Sequence, residues 1–352
     1  MSEADTGGRL ALARIRIEPT LAHESALRET VRSAQLVRGP HLAQLAELLT
    51  AHFGKRYAVL TVNGFSALLV ALRARALAPD TPVRTAAAGT CFAMVNAIRA
   101  AGLAAEFTDL EPDSLSLAAS SAATAVAIAP DHFGRIATAA LAYRPGPGRF
   151  LIEDAAQAFF SRQQLRTQAD AVVLSFYPTK WMDGIDGGAV LTDDVALYDE
   201  LRRQVSYVDQ LEFEPTSRFN LAMPNLHAAY ALASLEQSEG VIERLRAAYR
   251  TLARAAAGYG LAPLEYGAGE VPTRCVVRAS SREQRDRILS SLSGQGIEAS
   301  QELLWLCPPH ETARFSAAAR LVDCTLSLPF HPFLRDDEIE RVVQALQRSG
   351  DE

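Results

Sequence analysis

Lysine is almost absent from this chain: Lys55 and Lys180 are the only two. A lysine between an aromatic strand end and a glycine-rich turn, as Lys180 is, therefore asks for a reason of its own. Cysteine is sparse as well. Cys91, Cys275, Cys307 and Cys324 are scattered and form no CxxC pair. That argues against a metal site or a disulfide framework, and for reduced thiols in the cytoplasm. His310 and His331 flank prolines and show no metal-ligand spacing. No run of about 18 apolar residues occurs, so no segment reads as membrane-spanning. Glu3, Asp5, Arg9, Arg14 and Arg16 break up residues 1–20, which do not read as a signal peptide and look frayed. Basic excess is missing too. The net charge is −6, whereas a nucleic-acid binder presents a basic face.

What remains is an ordinary globular composition, 49% hydrophobic and 22% charged over 352 residues. That length suits one large domain with an appendage, or two domains. From about residue 40, short apolar runs alternate with helical patterns. Strands are predicted at Tyr57–Thr61, 125–129, 150–153, 171–176 and 189–192. Helical spacing appears between them, as in Leu68, Leu69, Leu72 and Ala76. The alternation predicts an α/β fold whose sheet is covered on both faces. Residues 226–250 read as one long helix, with Leu226, Tyr230 and Ala233 on one side and Leu245 near its end. A smaller unit follows, with a strand at Cys275–Arg278 and a helix over 281–292. A last helix starts near Asp336, its expected N-cap, and carries Ile339, Val342, Val343 and Leu346 at i, i+3, i+4 and i+7. A boundary near residue 240 divides the chain into 1–240 and 241–352.

Three segments carry chemistry. Ser175-Phe176-Tyr177-Pro178-Thr179-Lys180 precedes Gly184, Asp186, Gly187 and Gly188. Glycines let the backbone approach a bulky ligand, and a desolvated lysine becomes a nucleophilic amine. A solvated loop lysine is the plain alternative. Leu151-Ile152-Glu153-Asp154-Ala155-Ala156-Gln157-Ala158 is an apolar strand ending in carboxylates. Ligands of open α/β sheets sit beyond such strand ends, and an Asp there suits a protonated ring nitrogen or, more simply, caps a helix. Val62-Asn63-Gly64-Phe65-Ser66-Ala67-Leu68 is a strand end, a turn and a helix start. Such a start binds phosphate through its free N–H groups, although Ser66 is equally readable as an N-cap.

Taken in this order, the three segments resemble the DegT-type, or sugar, aminotransferases, which are fold-type I enzymes of pyridoxal 5'-phosphate (PLP). The likeness runs from about Arg38-Gly39-Pro40 to Leu328-Pro329 and the last helix. It implies a large mixed, mostly parallel sheet domain with a smaller α+β C-terminal domain. By the same resemblance Lys180 is the Schiff-base lysine and the catalytic residue. Asp154 pairs with the pyridinium nitrogen, and Gln157 lies beside the ring. Gly64, Phe65 and Ser66 form the phosphate turn, and Ser175 is a second phosphate donor. Asn220, in Ser217-Arg218-Phe219-Asn220-Leu221-Ala222-Met223, resembles a residue that reaches the phosphate of the neighbouring subunit of a homodimer; as a bare sequence feature it is also a turn asparagine. His132 matches a family histidine near the site, or makes a structural hydrogen bond.

The chain also departs from the pattern. Cys91 occupies the position of a ring-stacking aromatic, a role open to Phe92 if the register shifts by one. Phe65 stands where a small or hydroxyl residue is usual, Ala222 where an Arg is usual, and Gln301-Glu302 where a His-Tyr pair is common. These departures leave the cofactor assignment in place and loosen the tie to a nucleotide-linked sugar. Trp181 and Trp305 read as packing residues. The resemblance implies transfer of an amino group from glutamate or glutamine to a keto-sugar or related cyclic ketone, both small molecules. The alternatives are a PLP-dependent sugar dehydration, whose enzymes usually lack the lysine, and a non-catalytic regulatory protein of the same fold.

Overall fold

The structure is a computed structural model that describes residues 10–11, 19–112, 115–117, 126–162, 166–208, 210–214 and 217–350. Its helices are α1 (Leu21–Arg32), α2 (Pro40–Phe53), α3 (Gly64–Arg73), α4 (Ala93–Ala100), α5 (Thr138–Ala142), α6 (Val195–Val205), α7 (Asn225–Leu235), α8 (Ser238–Gly258), α9 (Arg282–Gly294), α10 (Ser316–Cys324) and α11 (Asp336–Gly350). The strands of the main sheet are β1 (Tyr57–Thr61), β2 (Pro82–Ala86), β4 (Ala104–Thr108), β5 (Val126–Pro130), β6 (Phe150–Asp154), β7 (Ala171–Ser175) and β8 (Gly188–Thr192). The short β3 (Ala88–Gly89) pairs with β12 (Leu304–Trp305). A smaller sheet holds β9 (Ala262–Pro263), β10 (Cys275–Arg278), β11 (Ser300–Gln301) and β13 (Thr325–Leu328).

The main sheet has the order β1-β8-β7-β6-β5-β2-β4. β8 is antiparallel to both of its neighbours, and every other pairing is parallel. Strands β5 to β8 are buried along nearly their whole length, which is why they read as continuous apolar runs. Alternate side chains feed two cores. Ile152, Val173 and Val190 meet Leu68 and Leu72 of α3, Ile98 of α4 and Leu201 of α6. Leu151, Leu174 and Leu191 meet Leu45 and Leu49 of α2 and Ala228 and Ala231 of α7. Each fully buried Leu or Ile contributes roughly 1.5–3 kcal/mol.

Three expectations change. Residues 226–250 form not one helix but two, α7 and α8, separated by Glu236 and Gln237. The physical reason is a change of buried face. α7 buries Ala228, Ala229, Tyr230, Ala231 and Ala233 almost all round, whereas α8 buries only the stripe Ile242, Leu245, Ala248, Leu252 and Ala256. Asp336 is the first helical residue of α11 and not its cap. The carbonyl of Arg335 accepts the first helical bond from the Ile339 amide at 3.0 Å, and the Arg335 amide donates to Glu338 at 2.9 Å. Residues 1–20 fall mostly outside the described residues, yet Leu10 is buried and its amide donates to the Gly296 carbonyl at 2.8 Å. Among the described residues no helix is long and apolar enough to cross a membrane, and no group of three His, Cys, Asp or Glu could hold a metal ion.

Candidate active site

The C-terminal ends of β1, β5, β6 and β7 open onto a cavity of about 320 Å³. That lies within the range of small-molecule sites, and the crevice beyond such strand ends is where open α/β sheets bind ligands. β6 ends at Asp154, which lines the cavity together with Ala156 and Gln157. β7 ends at Ser175, and the following loop carries Lys180 into the same space. That loop is closed at its base. The Phe176 amide donates to the Gly187 carbonyl, and the Gly184 amide to the Phe176 carbonyl, both at 2.8 Å. The Lys180 amide donates to the Tyr177 carbonyl at 2.8 Å. Phe176 is wholly buried and anchors the loop.

Burial holds the Lys180 amine below the ordinary lysine range. The Arg274 charge pushes the same way, while Asp154, Cys91 and Glu302 oppose it. Burial raises the Asp154 carboxyl, against the Ala156 amide and the Lys180 charge. Its Oδ1 accepts from that amide at 3.1 Å. The other lysine has a structural task. Lys55 is buried and donates to the Ala169 carbonyl at 2.8 Å and to Asp193 at 3.0 Å.

The turn before α3 is built from close backbone approach. Asn63, not Ser66, caps α3: its Oδ1 accepts from the Ser66 amide at 2.9 Å. The Gly64 and Phe65 amides at the head of α3 have no hydrogen-bond partner among the described residues. A Cβ on Gly64 would lie 2.7 Å from the Ser175 Cβ, and one on Gly188 would lie 2.6 Å from the Asn63 carbonyl. Gly64, Phe65 and Ser175 line the cavity; Ser66 is buried one residue further into the helix and does not.

Gln157 is fixed at both ends of its amide. Its Oε1 accepts from the Phe133 amide at 3.0 Å, and its Nε2 donates to Thr90. Cys91 lines the cavity and Phe92 does not, so this position supplies no stacking ring. His132 does line it. Its Nδ1 lies 2.8 Å from the Leu115 carbonyl, which can only accept, so Nδ1 carries the proton. Burial lowers its pKa. Trp181 packs edge-on against Phe330, as a core residue does. Asn220 is exposed and lies outside the cavity of its own chain.

Sequence reasoning missed Arg274 and Thr90, and it treated Glu302 only as a departure. Both Arg274 and Glu302 line the cavity from the small-sheet side. Their only sequence signal is a charged residue next to a short strand, and that does not say where the strand end points.

The cavity joins a lysine of lowered pKa, a carboxylate at the next strand end and a glycine turn at a helix N-terminus. Residues 20–347 match the DegT/DnrJ/EryC1/StrS aminotransferase family, and the chain belongs to that family. It is an aminotransferase. Among curated relatives it is similar to the spore coat polysaccharide biosynthesis protein SpsC of Bacillus subtilis (strain 168), with 26% identity over 91% of this chain and 92% of that protein. It is also similar to the UDP-2-acetamido-2-deoxy-3-oxo-D-glucuronate aminotransferase of Pseudomonas aeruginosa, with 24% identity over 92% and 94%. Among solved structures, S. venezuelae DesV shares its fold with a TM-score of 0.83 and 22% identity, over 98% of this chain and 99% of that one.

Proposed function

We propose that this enzyme moves an amino group from an amino-acid donor, glutamate or glutamine, to a keto-sugar or related cyclic ketone. The observation that carries the reading is the placement of Lys180 and Asp154 beyond the ends of adjacent strands, in one cavity with the Gly64–Ser175 cradle. The name of the Pseudomonas relative supports an oxo-sugar as the acceptor. The cofactor is PLP, and the residues fit it: an amine, a carboxylate, two free amides and a glycine cradle. When bound, PLP supplies a carbonyl for the lysine and a ring that takes up electrons.

Everything else falls to the chain. Lys180, its amine held below the ordinary lysine range by burial, moves a proton to and from the substrate carbon. Asp154 holds a proton at the ring nitrogen. Gln157, locked by Phe133 and Thr90, fixes the edge of the ring. The Gly64 and Phe65 amides and the Ser175 hydroxyl receive the phosphate. We further propose a homodimer in which the exposed Asn220 crosses to the partner's phosphate. The proposed domains are 1–240 and 241–352, and the proposed compartment is the cytoplasm, where thiols stay reduced.

The test is optical. Purified protein should carry the visible band of lysine-linked PLP, and L-glutamate or L-glutamine should bleach it. A keto-sugar should restore it. A band that no amino acid bleaches would remove the transfer reaction and leave a different PLP chemistry or a regulatory role.

A further inference from the structure

Five charged side chains line the cavity: Lys180, Arg274, Asp131, Asp154 and Glu302. On the reading above, Lys180 and Asp154 belong to the cofactor. Asp131 accepts from the Ala137 amide at 2.7 Å and serves the chain's own backbone. Arg274 and Glu302 remain. Their contact is an ion pair of 3.7 Å between Nε and Oε1, too long for a hydrogen bond. The Arg274 guanidinium makes no hydrogen bond to any described residue. The Arg274 backbone is nevertheless well held. The Tyr266 hydroxyl donates to the Arg274 carbonyl at 3.3 Å and to the Phe133 carbonyl at 2.9 Å. The Thr273 amide donates to that same Phe133 carbonyl at 3.0 Å. The main chain is thus fixed while the planar fork of donors stays open to the cavity.

We propose that Arg274 receives a carboxylate of the substrate and that Glu302 competes with it for the guanidinium. An arginine fork matches a carboxylate with two parallel hydrogen bonds. A carboxylate leaving water for a cavity needs such a partner. Glu302 has a side chain only 10% exposed and needs a cation nearby for the same reason. Without a substrate it draws Arg274 loosely toward itself. With one, it faces a second carboxylate on the same cation, and its negative charge weakens that binding. The pair therefore sets which substrates enter, and how tightly. The carboxylate belongs either to the amino donor or to an acidic acceptor.

The signature is that two substitutions act in opposite directions. Maleate is titrated calorimetrically into the holoenzyme. Arg274→Gln should weaken maleate about ten- to a hundredfold, the range of one charge-assisted pair. Glu302→Gln should tighten it, and Arg274→Lys should fall between wild type and Arg274→Gln. Thermal melting of each variant reports whether the fold is kept. If both Gln variants weaken maleate alike, or neither changes it, the pair is structural and the proposal is overturned. Two further arms locate the carboxylate. Weaker L-glutamate in bleaching the cofactor band, with D-glucuronate unaffected, assigns it to the donor. Weaker D-glucuronate relative to D-glucose, with L-glutamate unaffected, assigns it to the acceptor. The maleate titration needs no turnover, so it still reads Arg274 if the aminotransferase reading fails at the absorbance test.

Discussion

Gly64 packs against Ser175 so closely that a methyl group on Gly64 would sit 2.7 Å from the Ser175 Cβ. The head of α3 and the end of β7 thus form a single cradle in which two free amides meet a hydroxyl. Gly64→Ala overpacks this contact by about 1–3 kcal/mol unless the turn retreats from β7. Its retreat should loosen PLP by about tenfold or more. Equilibrium dialysis against PLP measures this, and unchanged retention would show that the phosphate sits elsewhere.

Lys180 should be the only residue that borohydride reduction labels in the PLP-loaded protein. The one other lysine is buried on Asp193 and on the Ala169 carbonyl, away from the cavity. Peptide mapping after reduction checks it. A label on Lys55 would contradict the geometry of the cavity.

Asp154→Asn keeps the size of the side chain and removes its charge. The variant should still bind PLP, because the phosphate cradle is untouched. Turnover should fall by several orders of magnitude, because a neutral amide no longer holds the ring nitrogen protonated. Single-turnover bleaching by L-glutamate separates this loss from a loss of binding. A near-normal rate would remove Asp154 from its role.

His132 offers a test by pH. Burial holds its pKa below the free value of 6.5, so the folded state resists a proton that the unfolded chain accepts. Its contribution to stability is complete above 6.5 and declines as pH falls below 6.5 toward the folded value, at most about 1.4 kcal/mol per pH unit. Asp183, raised to about 6 by burial, works in the opposite sense. The comparison must therefore be with His132→Asn, where Asp183 is unchanged and the side-chain amide can still donate to Leu115. Urea unfolding between pH 7 and pH 5.5 should show the variant losing less stability on acidification than the wild type. Parallel curves would mean that His132 is charged in the fold.

Asn220 tests the shared site. Lys180→Ala and Asn220→Ala, each of low activity, are mixed under conditions that exchange subunits. A mixed dimer then has one site with both defects and one with neither, so activity should partly return. No return after proven exchange, or full activity in a sedimenting monomer, would count against the crossing residue.

The sequence by itself determined five strands of the main sheet, Cys275–Arg278 of the small one and the residues at their ends, but not Pro82–Ala86, Ala104–Thr108 or Thr325–Leu328. Cys275–Arg278 is legible because a buried strand is a short apolar run between breakers, and the half-buried edge strand Tyr57–Thr61 because its run ends in the Asn63-Gly64 turn. Asp154 and Lys180 were legible because the segments around them are local motifs, complete within a few residues. Tertiary structure decided the rest. The break between α7 and α8 follows from which neighbours each helix buries, and the apolar run across 226–250 does not record them. The cap of α3 went to Asn63 because its side chain reaches the Ser66 amide, a matter of dihedral angles and not of residue type. Arg274 and Glu302 come from the small sheet, more than a hundred residues from the Asp154 motif. Only the packing of the two sheets brings their charges to the lysine, since opposite charges far apart in the chain leave no periodic trace in it.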